Sequence, residues 1–226
     1  MNISRKFIPS ESEQLEQKGV STFIDAAAAF DNKCCELIVR GYQKAIITQR
    51  ITKAFDEEDI SDFLGEQIEL YCLEQSIPYH IDTDSRDRHQ TVDGVKIKGK
   101  KRKRFDIKFS YFSNPQTQNV YGAEAKNLSE KNSSKLIADY ISEKGMKKFI
   151  NSIYSKKGCM IGYIREGDTE NIFKKINDRI ASEWQTSEQL VNVPLVEGFN
   201  YHYESNHPGY QHNPLKHLLL YFSFNQ

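Results

Sequence analysis

From Ser21 to about Ile51, apolar residues recur at helical spacing: Phe23, Ile24, Ala27 and Ala28, then Leu37, Ile38, Tyr42, Ile46 and Ile47. Gly41 is expected to split this stretch into two helices, and the polar residues 1–20 before it to pack loosely. A second helical face carries Ile60, Leu64, Ile68, Tyr71, Cys72 and Gln75. It opens with Asp56-Glu57-Glu58-Asp59, acids that suit the positive end of a helix dipole, and Pro78 bounds it. Extended stretches are predicted at 79–81, 105–111, 120–126 and 159–164. Between the last two lies a long helical pattern through Leu136, Ile137, Tyr140, Ile141, Phe149, Ile150 and Ile153, which Gly145 is expected to bend or interrupt. A further helix carries Ile172, Phe173, Ile176, Ile180 and Trp184, and two strands are expected at 201–204 and 216–224.

Helix, strand, strand, strand, helix, strand is an α/β order. It predicts a mixed sheet with helices on both faces, N-terminal helices and C-terminal strands being added to it. Residues 1–55 form the helical segment and 56–226 the main domain, expected to act as one unit. The 226 residues are 38% apolar and 12% aromatic, enough for a buried core, and mean hydropathy is -0.66. No apolar run approaches the roughly 20 residues of a membrane helix. The N-terminus lacks the apolar core of a signal peptide, so a cytoplasmic protein is expected. Cys34, Cys35, Cys72 and Cys159 form no C-x-x-C pair, which points to free thiols rather than a disulfide frame or zinc ribbon. Basic and acidic residues balance at 31 each, so any charge signal must lie in their distribution.

The chemistry concentrates in Arg104-Phe105-Asp106-Ile107 and Gly122-Ala123-Glu124-Ala125-Lys126. Side chains alternate along a strand, so Glu124 and Lys126 share a face while Ala123 and Ala125 point the other way. A hairpin between the two stretches, turned at Asn114-Pro115, brings Asp106 level with Glu124. Two carboxylates so close repel unless a cation joins them, and Mg²⁺, which takes oxygen ligands and keeps waters, is the expected one. A water acidified by the metal becomes a nucleophile toward a phosphodiester, with Lys126 orienting it or stabilising charge on phosphate.

Asp106 followed by Glu124-Ala125-Lys126 resembles the D…(E)xK signature of the PD-(D/E)xK, or restriction-endonuclease-like, nuclease superfamily, with Arg-Phe where that signature has Pro. Residues 145–150, 158–164, 205–207 and 217–220 are similar to stretches of restriction-like nucleases from bacterial defence gene clusters. The resemblance covers roughly residues 55–224. It implies an αβββαβ core, Mg²⁺ (or Mn²⁺) held by Asp106, Glu124 and the Ala125 carbonyl, and catalysis by those two acids with Lys126. Members often add a carboxylate from the preceding helix. Glu57 lies seven residues before Leu64, on nearly the same side, while Glu66 and Glu69 are its substitutes and a plain dipole role its rival reading.

Residues 96–104 hold seven positive charges in nine positions, beside Asp106. Lys98, Lys100, Lys101, Arg102, Lys103 and Arg104 are either phosphate contacts supplying salt-sensitive affinity or a solvated loop. His202, His207, His212 and His217 recur five apart, without the cysteines or H-x₃-H spacing of a zinc site. His207, before Pro208-Gly209, is the one expected to touch phosphate, and His217 to be structural. No phosphate-binding glycine loop and no G-x-S-x-G elbow occurs, so ATPase, dehydrogenase and serine-hydrolase readings lack their anchors. The expected activity is a Mg²⁺-dependent DNA endonuclease of an anti-phage defence or restriction system, restrained by a regulatory or recognition subunit, by oligomerisation or by a loop such as 96–104 covering the site. The alternatives are a catalytically silent module binding nucleic acid or a partner on the same fold, and an RNase.

Overall fold

The computed structural model describes residues 11–86, 91–92, 95–96, 103–114, 117–154 and 156–224. Helix α1 runs unbroken over Glu11–Thr48. Gly41 therefore does not separate two helices. A Cβ there would stand 2.3 Å from the Ile68 side chain, so its absence lets α1 cross closely over α2, Glu57–Glu74. The polar segment 11–20 likewise belongs to α1. Asp56 caps α2 reciprocally with Asp59, each side chain accepting the other's backbone N–H at 2.9 Å.

Strands follow as β1 (His80–Arg86), β2 (Thr91–Val92), β3 (Val95–Lys96), β4 (Arg104–Asn114) and β5 (Thr117–Ser129). The long helical pattern is interrupted around Gly145, giving two pieces, α3 (Ser133–Ile141) and the single turn α4 (Lys147–Ile150). The chain reverses between them, with the Met146 N–H returning to the Tyr140 carbonyl at 2.8 Å. Gly145 sits so tightly in this reversal that a Cβ would meet the same carbonyl oxygen at 2.0 Å. Then come β6 (Gly158–Glu166), α5 (Thr169–Glu183), β7 (Val191–Asn192), β8 (His202–Ser205) and β9 (Leu215–Tyr221). The two-residue β7, which no apolar run announces, extends the edge of the sheet.

Seven strands form one mixed sheet in the order β1-β4-β5-β6-β9-β8-β7, and β2 pairs with β3 alone. The β1–β4 and β4–β5 pairs are antiparallel, while β5–β6 and β6–β9 are parallel. Helices cover both faces, so the central strands are apolar on both sides. On one face Ile107, Ala123, Ala125, Ile161 and Leu218 pack with Cys34, Leu37 and Ile38 of α1 and Ile60, Leu64 and Ile68 of α2. On the other, Leu128, Met160, Ile164 and Leu219 meet Ile137, Tyr140, Phe149, Ile172, Ile176 and Ile180. The N-terminal helix thus shares its core with the sheet. All four cysteines are free and buried. Among the described residues no helix is long and apolar enough to cross a membrane.

Candidate functional site

The pairing of β4 with β5 ends at Ile107 opposite Ala123. Beyond that point β5 keeps β6 on one side, through Ser129, but among the described residues has no strand on the other. Along a strand the N–H groups of alternate residues face the same edge, so Ala125 and Asn127 both present theirs to the gap. Side chains take them. Asp106 Oδ2 accepts from the Ala125 N–H at 2.6 Å, and Glu57 Oε2 accepts from the Asn127 N–H at 2.9 Å. Two carboxylates, one from β4 and one from the first turn of α2, replace a strand in closing this notch.

Lys126 ties the notch together. Its ammonium donates to Glu57 Oε1 at 2.7 Å, lies 3.0 Å from Glu124 Oε1, and also donates to the Ala125 carbonyl. Glu124 is 1% exposed. Its Oε1 additionally accepts from Lys148 of α4, and its Oε2 from the Tyr154 hydroxyl at 2.6 Å. The Tyr154 ring is fixed by Phe105 and Phe149, with centroids 4.2 Å and 5.0 Å away.

Charge in the notch is crowded. Asp106 is pushed up to about 7, first by burial and then by the neighbouring Glu124 charge, with Glu57 adding to it, while Lys126 and the Ala125 N–H act in the opposite sense. Burial alone would lower Lys126, yet Glu124, Glu57 and Asp106 together hold it well above the usual lysine range. Asp106 is therefore a carboxylate whose ionised form is costly with the cations at hand. The donor set, two buried carboxylates and the Ala125 carbonyl on one edge, is hard oxygen, the chemistry Mg²⁺ takes. With Lys126 and Lys148 on Glu124, the described residues contain no group of three His, Cys, Asp or Glu side chains disposed to hold a metal ion.

Asp106, Glu124, Lys126 and Glu57 thus come together from three elements. Glu66 and Glu69 are exposed on α2 and form no part of the notch. Lys98, Lys100, Lys101 and Arg102 lie outside the described residues, and Lys103 is exposed at the entry to β4. Arg104 pairs across to Asp84 on β1, at the surface. His207 is not at the surface. It is 1% exposed, with Nδ1 2.7 Å from Glu188 Oε2 and Nε2 2.7 Å from Ser205 Oγ. A phosphate could reach it only by displacing one of these partners. The same Ser205 oxygen lies 2.8 Å from His217 Nε2, and His217 Nδ1 is 2.9 Å from the Tyr140 hydroxyl. Sequence reasoning missed Lys148 and Tyr154. Lys148 reads as one more exposed helix lysine, and only the chain reversal at Gly145 turns it inward.

The chain matches no family model, no curated protein and no solved structure.

Proposed function

We propose that the protein is a metal-dependent nuclease that hydrolyses phosphodiester bonds of DNA, with Mg²⁺ (or Mn²⁺) as cofactor. The observation that carries this reading is the notch itself. Acids from β4, β5 and α2 converge on one lysine at an unpaired strand edge, and Asp106 is left with a carboxyl raised to about 7. A purely structural salt-bridge cluster has no use for a carboxylate so poorly neutralised. The succession α2, β1, β4, β5, α3, β6 also agrees with the αβββαβ order that the resemblance implies.

Asp106, Glu124 and the Ala125 carbonyl are the metal ligands in this reading. A divalent cation would neutralise both carboxylates and acidify a water for attack on phosphorus. Lys126, freed from Glu124, donates to a non-bridging phosphate oxygen as negative charge grows there. Glu57 holds the Lys126 ammonium in place from the α2 side, and Lys148 and Tyr154 keep Glu124 fixed. The resemblance adds a setting in bacterial defence.

The test is incubation of the purified protein with supercoiled plasmid, and in parallel with RNA, in Mg²⁺, Mn²⁺ or EDTA. Nicking of the plasmid that needs metal and vanishes in Lys126→Ala is expected. Protein that leaves DNA and RNA intact in both metals, even when assayed in a lysate of its own cells, would sink the reading.

A further inference from the structure

Next to the notch, a cleft of about 700 Å³ lies at the carboxyl ends of β5, β6 and β9, three mutually parallel strands. Ligands of open α/β sheets gather outside such strand ends. The two sites join at Asn127: its N–H binds Glu57 in the notch, and the residue also lines the cleft. The register of β5 against β6 slips between Leu128 and Ser129, leaving Arg165 as the extra residue of β6 where the cleft begins.

The cleft is built for phosphate and for flat rings. Lys53, Lys131 and Arg165 line it, against one carboxylate, Glu166. Lys53 and Lys131 are exposed and can reach a ligand without leaving the core. Arg165 is held in place, its Nη2 donating to the Lys53 carbonyl at 2.7 Å and its guanidinium 5.3 Å above the Phe224 ring. A guanidinium lying on an aromatic ring is a surface on which a nucleobase stacks. Asn127, which lines the cleft, has a buried Oδ1 with no hydrogen-bond partner among the described residues.

We propose that this cleft holds an unpaired strand of nucleic acid on its way to the scissile phosphate in the notch. Its phosphates lie against Lys53 and Lys131, and a base lies on the Arg165–Phe224 platform. The volume is that of pockets taking single small ligands, about 300–1,000 Å³, which admits a nucleotide or two and not a duplex. Aromatic and guanidinium faces serve only bases that are already unstacked. The proposal rests on the nuclease reading for the place of the cut, but not for the binding.

Fluorescence anisotropy in EDTA tests it without any cleavage, using a labelled single-stranded DNA oligonucleotide and the same sequence as a duplex. The protein should bind the single strand more tightly. Lys53→Ala combined with Lys131→Ala, both at exposed positions, should weaken binding and flatten the plot of log affinity against log salt by about 1.4, at roughly 0.7 for each phosphate no longer neutralised. Phe224→Ala should weaken it about tenfold. Wild-type affinity in these variants, equal affinity for duplex, or no binding at all overturns the proposal. Loss of single-strand binding in the variants of a protein that cuts nothing would uphold the cleft and reject the nuclease. Metal-dependent cutting with unchanged binding in the variants would do the reverse.

Discussion

The protein buries two groups of polar side chains, on different elements and by opposite rules. One is the chain Glu188–His207–Ser205–His217–Tyr140, reaching from β8 and β9 to α3. With Glu188 ionised, His207 Nδ1–H donates to it, Ser205 donates to His207 Nε2, His217 Nε2–H donates to Ser205, and Tyr140 donates to His217 Nδ1. One assignment of protons satisfies every link, with both histidines neutral. The other group is the notch, where Asp106, Glu124 and Glu57 share Lys126 and Lys148 and no assignment leaves Asp106 well served. A closed chain rigidifies the fold and offers nothing to a ligand. An open one stores an unmet demand for positive charge, which a fold retains at a cost in stability. The difference separates structure from function in a protein where both clusters contain buried acids.

The sharpest way to break that contrast is to cut each cluster at its centre. Lys126→Ala should lower the cleavage rate by about 10²–10³, the effect of deleting one donor to developing charge, while the protein stays folded. Ser205→Ala should do the opposite. It strips the partner from two buried imidazole nitrogens, at about 1–3 kcal/mol each, and should lower Tm by roughly 10 °C with little change in rate for the folded fraction. Plasmid nicking alongside thermal melts gives both readings. A melt unchanged in Ser205→Ala, or a rate unchanged in Lys126→Ala, would dissolve the distinction.

The two clusters differ as much in legibility as in chemistry. Asp106, Glu124 and Lys126 are readable because a strand's period of two fixes which side chains share a face, and a hairpin fixes which lie level. Glu57 is readable because a helix period carries Leu64's side back one full heptad. The histidine chain is not. Its members, Tyr140, Glu188, Ser205, His207 and His217, are scattered over helix, loop and strand, and only the pairing of β8 with β9 and a turn near Glu188 align them. His207 therefore reads as a phosphate contact when its ring is enclosed. Gly41 misleads for a related reason: from the chain alone, a glycine that breaks a helix and one that admits another helix look the same.

Titration sharpens the comparison, since the clusters move stability in opposite directions. Burial and the Glu124 charge raise Asp106 to about 7, above the ordinary 3.8, so its contribution is full below pH 4 and is lost as pH rises toward 7. His217 is lowered well below 6.5 by burial, then by His207 and His202, so its contribution is present above pH 6.5 and is lost as pH falls. In chemical-denaturation series from pH 4 to 8, Asp106→Asn should gain on the parent as pH rises. His217→Gln should gain on it as pH falls. Parallel curves for parent and Asp106→Asn would show that the notch meets its charge after all.

The smallest effect expected is at Glu57, and it decides between two roles for that residue. As the first residue of α2, Glu57 carries charge favourable to the helix dipole, worth about 0.3–1 kcal/mol whatever else it does. Its neighbour Glu58 occupies the same turn, exposed, and shares only that role. Glu57 alone reaches Lys126 Nζ and the Asn127 N–H. Glu57→Gln keeps an oxygen for one of those hydrogen bonds but removes the charge that steadies the ammonium. Its kcat should fall about tenfold with KM little changed, as befits a residue that positions another. Glu58→Gln should match it in thermal stability and retain full rate, and Glu66→Gln and Glu69→Gln should change neither. Equal rates for the Glu57 and Glu58 variants would reduce Glu57 to a helix acid. They would leave Lys126 positioned by Glu124 and the Ala125 carbonyl, and the notch with one fewer reason to differ from the histidine chain.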